Sequence, residues 1–87
     1  MPNRRPILII EDDETLRNML AEHLEETREF VVTGVDRIER ADQVFDNEEA
    51  HFDAIILDVG LPDGDGCDYC ARLRRQGHSL PIIMLTG

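Results

Sequence analysis

Residues 54–66, AIILDVGLPDGDG, give the clearest structural signal in the sequence. A short apolar run ends abruptly at Asp58, and a loop dense in Gly, Pro and Asp follows it. Such a run, bounded by turn residues, is typical of a strand that is buried on both faces of a sheet. In open parallel α/β sheets, ligands bind at the carboxyl ends of the strands. We therefore expect Asp58 to be the chemical centre of the chain.

Three further apolar runs and three amphipathic segments surround this strand. The expected strands cover residues 7–10, 30–35, 54–58 and 80–86, and the expected helices cover residues 14–28, 37–47 and 67–75. The order βαβαβαβ implies parallel strands, right-handed crossovers and helices on both faces of the sheet. We expect Asp13 to cap the first helix and Asp36 to cap the second. His23 should pack on the apolar face of the first helix, and the arginines of the third helix should be solvated.

The composition limits the class of protein. A chain of 87 residues forms one small domain, and 41% hydrophobic with 32% charged residues is ordinary for a globular protein. No run of about 18 apolar residues suggests a membrane span, and the N-terminus lacks a signal-peptide core, so we expect a cytoplasmic protein. The net charge of −10 argues against direct nucleic-acid binding by this segment.

Acidic and hydroxyl side chains follow three of the expected strands. Glu11 and Asp12 follow the first strand, Asp58 ends the third, and Thr86 ends the fourth. These side chains should converge, because the carboxyl ends of parallel strands meet at one edge of the sheet. Converging carboxylates repel one another unless a proton or a cation neutralises them, and oxygen ligands favour a hard cation such as Mg²⁺. The pattern indicates phosphoryl chemistry, with Asp58 as nucleophile and Thr86 as a hydrogen-bond partner of the phosphoryl group.

The chain resembles the receiver domain of two-component response regulators. The motifs that carry the resemblance are ILIIEDD (7–13), IILD (55–58), LPDGDG (61–66) and PIIMLT (81–86). The resemblance implies a flavodoxin-like, CheY-like doubly wound parallel sheet over residues 1–87, with strand order 2-1-3-4. The family continues with a further helix, strand and helix, so we expect the chain to be the N-terminal portion of a receiver domain.

The resemblance also implies roles for individual residues. Asp58 would accept a phosphoryl group from a histidine kinase in a Mg²⁺-dependent reaction. Glu11, Asp12, Asp58 and the backbone carbonyl of Gly60 would hold the metal, and Thr86 would contact the phosphoryl group as a switch. The module would act on an output domain or partner protein, and it would catalyse nothing beyond its own phosphorylation and dephosphorylation.

One departure from the family opens an alternative. The family has a lysine beyond the threonine that pairs with the phosphoryl oxygens, and this chain contains no Lys. The alternative is a receiver that is not phosphorylated and acts as a protein-interaction module. Whether or not Asp58 is phosphorylated, we also expect the exposed edge of the fourth strand to pair with a second copy of the chain and form a homodimer.

A second alternative comes from the two cysteines. Cys67 and Cys70 form a C-x-x-C motif at the expected start of the third helix, where a thiol gains thiolate character. This pattern is typical of thiol-disulfide oxidoreductases of the thioredoxin class. That class has no need of acidic and hydroxyl side chains at three strand ends, so we interpret the cysteines as small helix residues, at least one of which faces the core.

Overall fold

The elements follow the predicted order. The computed structural model describes residues 3–86. Its elements are β1 (Arg5–Ile10), α1 (Glu14–Glu26), β2 (Phe30–Val35), α2 (Ile38–Phe45), β3 (Ala54–Asp58), β4 (Gly60–Leu61), β5 (Gly64–Asp65), α3 (Gly66–Arg75) and β6 (Ile82–Leu85). The alternation of strands and helices is confirmed, with one addition. The two-residue strands β4 and β5 pair antiparallel in the loop before α3, and they are too short to leave an alternating pattern in the sequence.

The main sheet has the order β2-β1-β3-β6, with every pair parallel. This order is the predicted 2-1-3-4 arrangement of the four long strands, so the flavodoxin-like topology is confirmed. The register sets Ile10 level with Val35 and Leu57, and Asp58 level with Leu85. The carboxyl ends of the four strands therefore lie along one edge.

One face of the sheet forms the main core with α2 and α3. Its fully buried members are Leu8, Ile10, Ile55 and Leu57 of the strands, Ala41 of α2, and Tyr69 and Leu73 of α3. On the other face α1 packs against β1 and β2. Ile56 is only half-buried there, and Ile83 is 56% exposed. The prediction that β3 is buried on both faces is therefore wrong, because α1 covers the other half of the sheet.

The ends of α1 depend on local hydrogen bonds. Asp13 caps the helix as predicted, since its side chain accepts a hydrogen bond from the N–H of Leu16 (3.1 Å). The helix ends at Glu26, before the expected residue 28, because Arg28 adopts the left-handed φ of 62°. His23 is exposed, so the prediction that it packs on the apolar face is wrong.

The cap of α2 comes from a distant part of the chain. Asp36 was expected to cap this helix, but its carboxylate pairs with the Arg37 guanidinium instead (3.1 Å). The two oxygens of Asp63 accept hydrogen bonds from the N–H groups of Ile38 and Glu39, each at 2.9 Å. The loop after β3 therefore supplies the cap, and it ties itself to α2.

Charged side chains also join α2 to α3. The Asp42 carboxylate accepts a hydrogen bond from the Tyr69 hydroxyl and one from the Arg72 guanidinium, both at 3.0 Å. The Arg72 guanidinium also lies over the Tyr69 ring, 4.8 Å from its centroid. Arg74 donates hydrogen bonds to the carbonyls of His78 and Leu80. The prediction of a solvated arginine face is wrong for Arg72, which is half-buried, while Arg74 and Arg75 are exposed as predicted.

Within residues 3–86, no helix combines the length and the apolar character that crossing a membrane would require.

Candidate functional site

Three carboxylates from two strand ends come together. Glu11 and Asp12 lie just beyond β1, and Asp58 is the last residue of β3. One carboxylate oxygen from each of them lies within 4.8 Å of the other two. Glu11 is 3% exposed, Asp58 is half-buried and Asp12 is exposed. The structure thus brings together the three acids that the sequence predicted to converge, in a set open to solvent on one side.

Glu11 is the buried member of this set. Its N–H donates to the Val35 carbonyl (3.0 Å), and its carboxylate accepts a hydrogen bond from the N–H of Asp13 (3.1 Å). Burial raises the pKa of Glu11 to about 7, and the neighbouring acids Asp12 and Asp58 add to this rise, while the Asp13 N–H opposes it. The Glu11 carboxyl therefore keeps its proton to a higher pH than an ordinary glutamate, and a bound cation would favour its ionised form.

The backbone of Asp58 is packed against the start of α3. A Cβ placed on Gly66 would lie 2.9 Å from the carbonyl carbon of Asp58 and would overlap its carbonyl oxygen. The N–H of Gly66 donates to the Val59 carbonyl (2.7 Å). Only glycine permits this approach, so the loop that follows β3 folds back onto the strand end that carries Asp58.

Gly60 and Thr86 lie at the same edge of the sheet. Gly60 is an exposed residue of β4, and a Cβ there would meet nothing within 4 Å. Thr86 is exposed and directly follows β6, whose Leu85 is level with Asp58 and accepts a hydrogen bond from the N–H of Val59 (3.2 Å). The metal-binding role of the Gly60 carbonyl and the phosphoryl contact of Thr86 stay predictions.

Two residues around the site had no predicted role there. Arg17 of α1 donates a hydrogen bond from Nη1 to the backbone carbonyl of Glu11 (2.8 Å). Asp63 joins the loop after Asp58 to α2. Arg17 lies six residues after Glu11, so a helix that starts at the strand end could have suggested the contact. The contact of Asp63 gives no such signal, because its partners lie 24 and 25 residues earlier in the chain.

The surroundings of the cysteines differ from those of a reactive thiol pair. Cys67 is exposed, and Cys70 is half-buried and packs against the core cluster, as predicted for one of the two. Partial burial raises the pKa of the Cys67 thiol, and the Asp65 and Asp68 carboxylates raise it further. Redox-active cysteines need a lowered thiol pKa, so this environment disfavours thiol-disulfide exchange.

The comparison with known protein families agrees with this geometry. A family model described as the response regulator receiver domain matches residues 7–87. The chain belongs to this family. The receiver is 37% identical over 87 residues to the response regulator MprA of Mycobacterium sp. (strain KMS), and the match covers 100% of the receiver and 36% of MprA. The receiver thus spans about a third of that relative's length.

Solved structures of receiver domains share the fold. The non-phosphorylated HemR receiver domain of Leptospira biflexa is 34% identical and has a TM-score of 0.83, covering 95% of this receiver and 64% of the HemR chain. The response regulator TrrA of Thermotoga maritima, solved in complex with Mg²⁺-BeF, is 27% identical with a TM-score of 0.82. That match covers 94% of this receiver and 69% of the TrrA chain. The CheY-like fold and the place of this chain in two-component signalling are therefore confirmed.

Proposed function

We propose that the receiver accepts a phosphoryl group on Asp58 from the phosphohistidine of a histidine kinase, in a reaction that requires Mg²⁺. The observation that carries this proposal is the convergence of Glu11, Asp12 and Asp58, with one oxygen of each within 4.8 Å of the others. Asp58 is half-buried rather than enclosed, so a donor can reach its carboxylate. In the reaction an Asp58 oxygen attacks phosphorus in line, and the P–N bond to the imidazole breaks with its electron pair leaving on the nitrogen.

The donor set fits Mg²⁺. Carboxylate oxygens of Glu11, Asp12 and Asp58, with the Gly60 carbonyl, are the hard ligands that this ion prefers, and it binds through one or two carboxylates together with phosphate oxygens. When bound, the ion would neutralise the charge that gathers on the phosphoryl oxygens. The complex of TrrA with Mg²⁺-BeF supports this assignment.

The surrounding residues would complete the phosphoryl site. Thr86 is exposed at the same edge and would donate a hydrogen bond to a phosphoryl oxygen. The fold of the loop onto Asp58 at Gly66 would hold the nucleophile in place. A bound cation and Thr86 would then be the partners of the phosphoryl group on Asp58 that residues 3–86 supply.

The wider role that we propose is signalling rather than metabolic catalysis. Residues 1–87 would act as the N-terminal portion of a receiver module in the cytoplasm. Phosphorylation of Asp58 would change the interaction of the module with an output domain or a partner protein, and hydrolysis of the acyl phosphate would reset it. The similarity to MprA and HemR, a response regulator and a receiver domain, supports this role.

The proposal is tested by incubating the chain with a small phosphodonor and Mg²⁺ and then measuring the intact mass. The wild type should gain one phosphoryl group, and both chelation of Mg²⁺ and the variant Asp58→Asn should abolish the gain. The matched control is Asp53→Asn, because Asp53 lies just before the opposite end of β3 and bonds His51. A wild type that gains no mass, or an Asp58→Asn variant that still does, would refute the proposal.

A second candidate function rests on the exposed part of the sheet. Within residues 3–86, β6 pairs with β3 alone, and its Ile83 is 56% exposed. A strand with a free edge and an apolar face can pair with a second copy of the chain. In this case sedimentation would show a dimer that Ile83→Arg dissociates, and the chain would take up no phosphoryl group.

A further inference from the structure

Arg17 is the cationic side chain that contacts the backbone of the acidic pair. Its Nη1 donates to the carbonyl oxygen of Glu11 at 2.8 Å. Within the described part of the chain, the ion pairs between arginines and carboxylates involve Arg37, Arg40 and Arg72 rather than Arg17. The Arg17 guanidinium therefore binds the peptide group of the site and leaves the carboxylates free for another cation.

A glycine on β2 makes room for this arrangement. A Cβ placed on Gly34 would lie 3.1 Å from Cδ and 3.3 Å from Cγ of Arg17. The aliphatic part of Arg17 thus lies flat against β2, while its guanidinium reaches the end of β1. Next to it, the N–H of Glu11 donates to the carbonyl of Val35 on the same strand (3.0 Å). Both backbone polar groups of Glu11 are thereby bonded to neighbouring elements.

The peptide group that Arg17 contacts is the one that joins the two acids. Because a peptide unit is planar, fixing the Glu11 carbonyl also fixes the N–H and the Cα of Asp12. On the other side, the Glu11 carboxylate accepts the N–H of Asp13 at 3.1 Å. The directions in which both acidic side chains leave the backbone are therefore set by bonds around this turn.

We propose that Arg17 is a positioning residue of the metal site, which holds Glu11 and Asp12 in the orientation that lets them share a divalent cation with Asp58. This inference rests on the proposed function, since it assumes that the cluster binds a cation. Removing a group that orients a metal ligand typically weakens metal binding by about 10- to 100-fold.

The direction in which metal affinity changes when Arg17 is removed distinguishes a positioning role from a purely electrostatic role and from a role in fold stability. A positive charge beside the site repels a cation, so if charge alone mattered, removing Arg17 would strengthen metal binding. If Arg17 served only the stability of the fold, the metal affinity of the folded variant would not change. Of the three roles, only that of a positioning residue predicts that removing the positive charge of Arg17 weakens metal binding.

The test is a titration with Mn²⁺ followed by electron paramagnetic resonance, with the fold of each variant checked by circular dichroism. Arg17→Met keeps the aliphatic stem without the donor, and its Mn²⁺ affinity should fall about tenfold. Arg17→Lys restores one donor and should recover part of the loss. Gly34→Ala displaces the stem and should weaken binding to an intermediate degree. The control is Arg75→Met, which removes an exposed positive charge from α3 and should leave the affinity unchanged.

The outcomes distinguish this inference from the proposed function. An Arg17→Met variant that is folded and binds Mn²⁺ as tightly as the wild type, or more tightly, overturns the inference, while phosphorylation of the wild type would still stand. If Arg17→Met does not fold, Arg17→Lys and Gly34→Ala decide, and wild-type affinity in both overturns it. A wild type that neither binds Mn²⁺ nor gains a phosphoryl group would overturn the proposed function and the inference with it.

Discussion

Replacing Asp63 by Ala should destabilise the domain more than replacing Asp36 by Ala, although Asp36 lies much closer to α2 in the sequence. Both oxygens of Asp63 accept hydrogen bonds at 2.9 Å from the first N–H groups of α2, those of Ile38 and Glu39. These groups have no acceptor within the helix. Asp36 instead pairs with the exposed guanidinium of Arg37, a contact of a kind that adds little to stability.

The size of the stability loss caused by Asp63→Ala depends on how exposed the Asp63 side chain is. Loss of an N-cap side chain costs about 0.5–2 kcal/mol, and Asp63→Ala removes two bonds at once. Since Asp63 is exposed, water can reach the freed N–H groups, and we expect a cost of about 1 kcal/mol. In a domain of this size that cost lowers the melting temperature by about 4–8 °C.

The effect of Asp63 should also depend on pH. Partial desolvation opposes ionisation of this carboxyl, but the N–H groups of Glu39 and Ile38 outweigh it, so the pKa of Asp63 is lowered from 3.8. A lowered pKa in the folded state adds stability above the ordinary value, and this stability is lost as the pH falls through the lowered pKa. The difference in unfolding free energy between the wild type and Asp63→Ala should therefore be largest at neutral pH and should decrease in acid.

Urea denaturation followed by circular dichroism measures these differences at several pH values. Asp63→Ala should shift the midpoint clearly at pH 7, and Asp36→Ala should shift it little. Asp63→Asn keeps one acceptor and should fall between Asp63→Ala and the wild type. A larger loss of stability for Asp36→Ala than for Asp63→Ala would contradict this prediction, because it would show that Asp36 caps α2.

The remaining predictions concern the site and the contact between α2 and α3. In Mg²⁺-free buffer, the contribution of Glu11 to stability should decline as the pH rises from 4.5 toward 7, because the pKa of Glu11 is about 7 in the folded chain and 4.5 in the unfolded chain. Glu11→Gln should remove this decline from a plot of the urea midpoint against pH. Gly66→Ala should cost about 1–3 kcal/mol in urea denaturation and slow the phosphorylation measured by intact mass, because the added methyl group displaces the backbone of Asp58. Tyr69→Phe should cost about 1 kcal/mol in urea denaturation with phosphorylation unchanged, because a buried ring loses its hydrogen bond to Asp42, which water can still reach.

The fold could be predicted from the sequence because its signals are local. The apolar runs at residues 7–10 and 54–58 are short and end in acids, and amphipathic segments separate the strands. Chain direction then places every carboxyl end at one edge of a parallel sheet. The convergence of Glu11, Asp12 and Asp58 follows from these features, and the structure brings them together.

The misjudged residues are those whose neighbours depend on packing between elements. His23 fits a helical apolar stripe in the sequence, yet α1 turns it to solvent. Ile56 belongs to a fully apolar run, yet it lies on the part of the sheet that α1 does not cover. A run of apolar residues indicates that burial is favourable, but it does not indicate which helix or strand packs against it.

The element order, the parallel sheet and the edge at which the acids meet could thus be predicted from the sequence, because periodicity and chain direction are properties of single segments. The side chains that hold that edge in place became visible only in the packed fold. Asp63 bonds residues up to 25 positions away, and Asp42 bonds Tyr69 and Arg72 at separations of 27 and 30. Such contacts require two elements to pack in a particular register, and the local sequence periodicity of each element does not predict that register.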